Sequence, residues 1–260
     1  MIRGIDLDHV AVATADMTTA WPRYAHELGG RWVSGGKATG FSTAQVRYAN
    51  GMKVEILEPW AVDENDFLRR FLDRNGPGPH HLTFKVDDIV AALGACEQAG
   101  YRPVAVDLTS EGWKEAFLHP KDALGIVVQL AESAGDWANA APSGFPAPRR
   151  GTATLLRVVH AVADLDDALA LFAGLLGGTE HDATDEADGR WVEVAWPGPG
   201  RVRLVQPAPG SEAAAWMGDR AGRVHHLAFG CPWLVDGVVV APEDNLGTRL
   251  VCFPAEAAGT

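Results

Sequence analysis

Apolar and polar residues alternate in short runs along much of this chain. Val10 and Val12 oppose His9, Ala11 and Ala13. Leu82, Phe84 and Val86 oppose His81, Thr83 and Lys85. Val54 and Ile56 oppose Glu55, and Val128 and Leu130 oppose Gln129. A period of two predicts strands with one greasy face and one mixed face. The pattern places strands at Ala44–Ala49, Lys53–Leu57, Ala116–His119 and Ile126–Ala131, besides those led by His9 and His81. Two segments read as helices instead. Asp16 caps Met17–Leu28, which Gly29-Gly30 ends and Pro22 interrupts. Asp87 or Asp88 caps Ile89–Ala99, which Gly100 ends. Each half-domain therefore reads strand, helix, then several strands, the remainder being short strands.

The pattern occurs twice. Leu28-Gly29-Gly30 returns 148 residues on as Leu176-Gly177-Gly178, and the same offset carries Asp16 onto Asp164, Ala20 onto Ala168 and Pro59 onto Pro207. His80 to Phe84 (HHLTF) returns as His225 to Phe229 (HHLAF), and Pro120 to Gly125 as Pro242 to Gly247. Within the first copy His9-Val10-Ala11-Val12 is echoed by His81-Leu82-Thr83-Phe84. The chain thus predicts an α+β protein of two tandem domains, residues 1–131 and 152–260, each made of paired βαβββ modules in a curved mixed sheet around a cleft. Residues 132–151, rich in Pro, Gly, Ala and Ser, form the expected linker, pinned at Trp137 and Phe145. The fourth module is shortened: its segment from Phe229 to Pro242 replaces the much longer one from Phe84 to Pro120, so it lacks its helix. Trp233, the linker or a second subunit is then needed to cover the bared face.

Composition narrows the classes of function. The 260 residues are 47% hydrophobic and 22% charged, as in ordinary globular proteins. The formal charge of −12 and a pI near 5.1 argue against nucleic acid as a partner. No apolar run is long enough for a membrane helix, and the first residues lack a signal-peptide core. Three widely spaced cysteines, Cys96, Cys231 and Cys252, argue against a disulfide framework and for a reduced, cytoplasmic setting.

In four strands of the first copy the greasy face is free to pack under helices, and a polar residue lies on the opposite face each time: His9, Glu55, His81 and Gln129. If the half-domains face each other across a pseudo-twofold axis, these four meet. Two imidazoles, a carboxylate and an amide oxygen suit a divalent metal such as Zn, Ni, Co, Mn or Fe, with coordination positions left open for substrate.

The segments LDHVAVA (Leu7–Ala13), KVEILEP (Lys53–Pro59), GPHHLTFKVDDI (Gly78–Ile89) and FLHPKDALGIVVQL (Phe117–Leu130) occur in order across most of residues 5–131. On these the N-terminal domain resembles the vicinal oxygen chelate superfamily of glyoxalases, methylmalonyl-CoA epimerases, extradiol dioxygenases and bleomycin-resistance proteins, and its epimerase branch above all. The resemblance implies metal ligands at His9, Glu55, His81 and Gln129. Gln129 stands where epimerases usually carry glutamate, and Glu55 where they often carry glutamine. Gln45 falls where they place a basic glutamate, which puts a two-base proton exchange in doubt. In the second copy the ligand positions fall on Arg157, Arg203, His226 and about Val251, which cannot rebuild a metal site. There His226 is expected as a structural residue, and the two arginines either bind an anion or pair with acidic neighbours.

Three functions follow as expectations. The first is a metal-dependent isomerase, epimerase or lyase acting through an enolate or enediolate on a small carbonyl or acyl-CoA-type substrate, with Glu55 as ligand and base together. The second is a small-molecule binding protein of the bleomycin-resistance type, favoured by Gln45 and by the degenerate second copy. The third is an extradiol dioxygenase. Partners are expected to be small molecules, with neither nucleic acid nor membrane; either the second copy replaces a partner subunit or the exposed sheet forms a homodimer. His80 is expected to support His81 or to lie at the surface, and Glu58 to be solvated or beside a helix. Lys114, His119 and Lys121 are expected in a solvated loop rather than against an anionic substrate, given the acidic chain. Trp21, Trp32, Trp60 and Trp113 are candidates for core packing or for a pocket wall.

Overall fold

A computed structural model describes residues 1–135 and 137–254. Asp136 of the expected linker and residues 255–260 of the expected second domain lie outside the described residues. Both copies fold as mixed sheets with few helices, as the alternation predicts. The first sheet holds β1 (Ile5–Ala13), β2 (Arg31–Ala38), β3 (Gly40–Arg47), β4 (Lys53–Trp60), β5 (Gly78–Val86), β6 (Val104–Asp107), β7 (Trp113–Leu118) and β8 (Val127–Ser133), in the order β2-β3-β4-β1-β5-β8-β7-β6. The second holds β9 (Thr154–Val162), β10 (Thr179–Glu186), β11 (Gly189–Ala195), β12 (Arg201–Pro207), β13 (Gly222–Gly230), β14 (Val238–Val240) and β15 (Leu250–Phe253), in the order β10-β11-β12-β9-β13-β15-β14. In every module the first strand runs parallel to the last: β1 with β4, β5 with β8, β9 with β12 and β13 with β15. Parallel neighbours require a crossover, and a connection that contains a helical segment supplies it in three of the four modules.

Those three crossovers are anchored alike. Asp16, Asp88 and Asp164 each accept a hydrogen bond from a first-turn amide, and the fourth strand reaches across to a second amide. Met17 N donates to Glu58 Oε2, Ile89 N to Glu132 Oε2 and Leu165 N to Gln206 Oε1. Glu58 is thus beside a helical turn, as expected for one of its two alternatives. The amide bond to Ile89 and the ion pair with Lys114 hold the Glu132 carboxyl below its ordinary pKa.

The helices differ from expectation in detail. Met17–Leu28 is a 3-10 turn at Met17–Thr19 followed by a π-helical turn at Pro22–Glu27. Pro22 is not the cause of the wide turn, because the second copy has no proline there and yet runs from the short helix α3 (Leu165–Leu169) into the same π turn at Ala170–Leu175. Leu28 N bonds Arg23 O, and Leu176 N bonds Leu171 O, so both copies close the turn one residue late. The helix expected at Ile89–Ala99 is α2 (Ile89–Gln98), which buries Ile89, Ala92 and Cys96. Two further helices fall in stretches read as strands and loops: α1 (Phe67–Asn75) and α4 (Glu212–Met217). The fourth module lacks a crossover helix between β13 and β14, as its length predicts.

The chain has two compact units. One comprises Met1–Asp8, His81–Asp136 and Arg157–His225. Inside it Phe84 packs edge-on against Trp196 at 5.1 Å, and Gly125 lies against Gly222 so closely that a Cβ on it would sit 1.8 Å from the Gly222 carbonyl. The other comprises His9–His80, Trp137–Leu156 and His226–Thr260. Here Phe229 of the shortened module packs on Tyr48 at 5.0 Å, and Asn245 donates to the Tyr24 hydroxyl at 3.2 Å. Trp233 lies against Gly151, which brings two of the candidate covering segments together. Phe145 of residues 132–151 is pinned between Trp21 and Trp32. Trp32 Nε1 also donates to Asn139 O at 2.9 Å. Those two tryptophans therefore clamp this segment. Trp137 is exposed.

Candidate metal centre

Four strands of the first sheet position the expected quartet. Val10, Val12, Val54 and Ile56 are fully buried, as is Val128, which fixes the register of each strand and turns the alternate residues to the opposite face. On that face β1 carries His9, Ala11 and Ala13, and β4 carries Glu55 and Leu57. Helix α1 closes one end of it: Leu68 joins Ala11, Ala13 and Leu57 in one apolar cluster flanked by Phe41, Phe67 and Phe71. Phe67 and Phe71 also pack edge-on against His80, which is buried rather than at the surface. The polar residues stand on the same strands beyond this apolar end.

His9 Nε2 lies 3.3 Å from Glu55 Oε2. With His81 they form a set in which one ligand atom from each residue lies within 4.8 Å of the others, and all three residues are buried, with 1%, 8% and 5% of their surface exposed. So little exposure for three ionisable groups is costly unless they bind one another or a cation. Glu55 is oriented from its other side, where Oε1 accepts from Thr43 Oγ1 at 2.7 Å and from Gln45 Nε2 at 3.2 Å. Both donors stand on β3, Gln45 directly opposite Glu55 and Thr43 opposite Leu57.

Gln129, the fourth expected residue, is buried on β8 opposite Thr83 of β5. Its Oε1 accepts from Thr83 Oγ1 at 2.5 Å and its Nε2 donates to Glu115 Oε2 at 2.7 Å. The carboxylate fixes the amide, since a flipped Gln129 would set two acceptors against each other. Trp113 Nε1 donates to the same Glu115 oxygen at 2.7 Å, so this tryptophan serves a carboxylate. Sequence reasoning missed Glu115 because it started this strand at Ala116. Phe117 stands directly opposite Gln129, which places Glu115 two residues along on the same face, a register visible only in the folded sheet. Thr43 and Thr83 were missed as partners, although each lies two residues from a position already singled out. Lys114 pairs with Glu132 at 2.5 Å, and His119 Nδ1 accepts from Lys121 N at 3.1 Å, both local structural bonds.

Comparison with known proteins agrees with this architecture. Residues 8–117 match the model of the glyoxalase/bleomycin resistance protein/dioxygenase superfamily. The ethylmalonyl-CoA/methylmalonyl-CoA epimerase of Cereibacter sphaeroides is 31% identical over 132 residues, which cover 48% of this chain and 96% of that protein. The chain belongs to the glyoxalase/bleomycin resistance/dioxygenase superfamily. Its N-terminal half is similar to methylmalonyl-CoA epimerases, among them the human mitochondrial enzyme, 32% identical over 49% of this chain and 73% of that protein. A triple mutant of 4-hydroxymandelate synthase from Streptomyces coelicolor shares the fold over 92% of this chain and 77% of its own, with a TM-score of 0.63 at 16% identity. That likeness shows a shared fold across both tandem copies. No helix among the described residues is long and apolar enough to cross a membrane.

The second copy departs at these positions. The offset of 148 carries His9, Gln45 and Glu55 onto Arg157, Glu193 and Arg203. The register is kept: Glu193 stands opposite Arg203 as Gln45 does opposite Glu55, and Arg203 opposite Val159 as Glu55 does opposite Ala11. Val251 stands opposite Ala228 as Gln129 does opposite Thr83. The arginines pair with an acidic neighbour, one of the two expectations: Glu193 Oε2 lies 3.0 Å from Arg157 Nε and 3.1 Å from Arg203 Nη2.

Proposed function

We propose that His9, Glu55 and His81 hold a divalent cation, with Gln129 Oε1 as a fourth donor, and that the protein is a metal-dependent enzyme of the glyoxalase type. It would isomerise, epimerise or cleave a small carbonyl or acyl-CoA-type substrate through an enolate or enediolate. The buried His9–Glu55–His81 set carries this reading. Two imidazoles, a carboxylate and an amide fit a borderline divalent ion such as Zn, Ni, Co, Mn or Fe. The similarity to epimerases supports an acyl-CoA substrate. When bound, the cation polarises a substrate carbonyl oxygen and so acidifies the adjacent carbon.

The chain's own groups supply the rest. Thr43 and Gln45 hold Glu55 Oε1 and leave Oε2 toward His9, which fixes the plane of the carboxylate. Glu55 is the one carboxylate of the quartet, so it takes the proton from the acidified carbon and returns it there. Gln45 has no basic oxygen and serves to orient. Thr83 and Glu115 hold Gln129 from the other half of the sheet.

The test begins with elemental analysis of protein purified without added metal, beside His9→Ala. About one divalent ion per chain in the wild type, lost in the variant, is expected. In D2O, methylmalonyl-CoA should gain deuterium at its acidic carbon with wild-type protein and none with Glu55→Gln. A wild type that holds no metal after dialysis against divalent ions refutes the proposal, and saturable quenching of tryptophan fluorescence by candidate ligands would then support a binding protein. Two histidines and one glutamate also match the donor set of non-haem iron oxygenases, and this favours an oxygen-using enzyme as the second reading. Iron in the purified protein, with oxygen uptake and no deuterium exchange, would select it.

A further inference from the structure

We propose that the second sheet carries an oxyanion-binding centre, formed by Arg157 and Arg203 around Glu193, where the first sheet carries its metal-ligand set. The ligand class is a small molecule bearing a carboxylate or a phosphate.

Charge and geometry support this. Arg157 and Arg203 stand on adjacent strands β9 and β12, and Glu193 on β11. One carboxylate oxygen serves both guanidinium groups, so the three half-buried side chains, 13%, 19% and 11% exposed, hold a net charge of +1. The acidic residue nearby, Asp182, is itself exposed and screened by solvent. Burial first, and then the charge of Arg157, push the Arg203 guanidinium below its ordinary pKa, while Glu193 and Asp182 work the other way, so part of the shift is repulsion between the two cations. An anion relieves that repulsion.

The donors are also in place before any ligand arrives. The Arg203 guanidinium lies 3.8 Å over the Trp191 ring, which fixes its plane. Its Nε and Nη2 are directed to Glu193 at 3.3 and 3.1 Å. Arg157 Nε lies 3.0 Å from Glu193 Oε2 but is buried without an aligned hydrogen bond, so the carboxylate attracts this guanidinium without occupying its donors. The guanidinium of Arg157 therefore keeps its planar fork of N–H donors, the geometry that takes a carboxylate or phosphate in two parallel bonds. The duplicated fold has kept the face, the strands and the register, and has exchanged a set that suits a cation for one that suits an anion.

Isothermal titration of the full chain at low ionic strength, in separate arms with inorganic phosphate and with malonate, tests this. Saturable binding of one equivalent is expected in at least one arm, and the stronger arm tells phosphate from carboxylate ligands. Arg157→Gln and Arg203→Gln should each weaken it by about tenfold, the effect of one charge-assisted bond. Glu193→Gln removes the competing carboxylate and should strengthen it, which provides a gain of function if the arginine variants fold poorly by circular dichroism. Metal content should be unchanged in all three. No saturable binding in either arm overturns the proposal, as does binding that survives both arginine variants. Binding abolished by His9→Ala alone would assign the anion to the first sheet and overturn it too.

Discussion

Acid should weaken this fold through His160. The side chain lies on β9 with none of its surface exposed, and its Nε2 is 2.9 Å from the carbonyl of Leu124. A carbonyl only accepts, so Nε2 carries the hydrogen and Nδ1 is bare; Nδ1 is buried with no hydrogen-bond partner. A second proton would place a charge in an apolar setting. Burial accordingly lowers the pKa from 6.5 to about 4, against a smaller opposing effect of the Leu124 carbonyl. Because the folded pKa is the depressed one, the unfolded chain takes up the proton first. Stability is fully present above the unfolded value, falls as the pH drops through 6.5, and stops falling near 4. The complete loss is about 3 kcal/mol, and between pH 7.5 and pH 5.0 it is about 2 kcal/mol. Urea unfolding of wild type and His160→Gln at these two pH values isolates it, since glutamine keeps the N–H to Leu124 O and cannot be protonated. The loss on acidification should be about 2 kcal/mol smaller in the variant. An equal loss in both proteins would show that His160 is not held neutral by burial.

Glu115→Gln should lower the affinity for the proposed divalent ion by about 10–100-fold in a competition titration, because the amide of Gln129 is no longer held in one orientation; unchanged affinity would remove Glu115 from the site. Gly125→Ala should destabilise by more than ~2 kcal/mol, since φ is +83° and the new Cβ meets the Gly222 carbonyl. Gly94→Ala, inside α2 with open space around it, should instead raise the melting temperature slightly, and similar melting temperatures for the two variants would contradict this argument.

The parts of this protein that were legible in the sequence were those written twice. Asp16, Asp88 and Asp164 announce three crossovers, and alternation around His9, Glu55, His81 and Gln129 marks the mixed face. What lay hidden depended on partners far along the chain. Helix α1 carries an apolar pair at Phe67 and Phe71 that was visible at helical spacing, but no repeat or strong capping signal framed it. Glu115 required the register of β7 against β8, which no local pattern gives. The π turns arise in both copies, one in a segment read as a helix interrupted by Pro22 and one without proline, so no local residue marks them. The pairing of Arg157 and Arg203 on Glu193 follows from the same offset of 148 residues, once Glu193 is set beside Gln45.

Tyr24 and Asn245 touch across 221 residues of chain. The ring is made long before its cover. At about 5–20 residues per second a ribosome needs on the order of 10–40 s to close that gap. Throughout this interval the nascent first module presents Tyr24 and Tyr48 to solvent or to a chaperone. Such long-range closure makes this half of the molecule slow to mature, and its birth, more than its finished state, is where aggregation threatens.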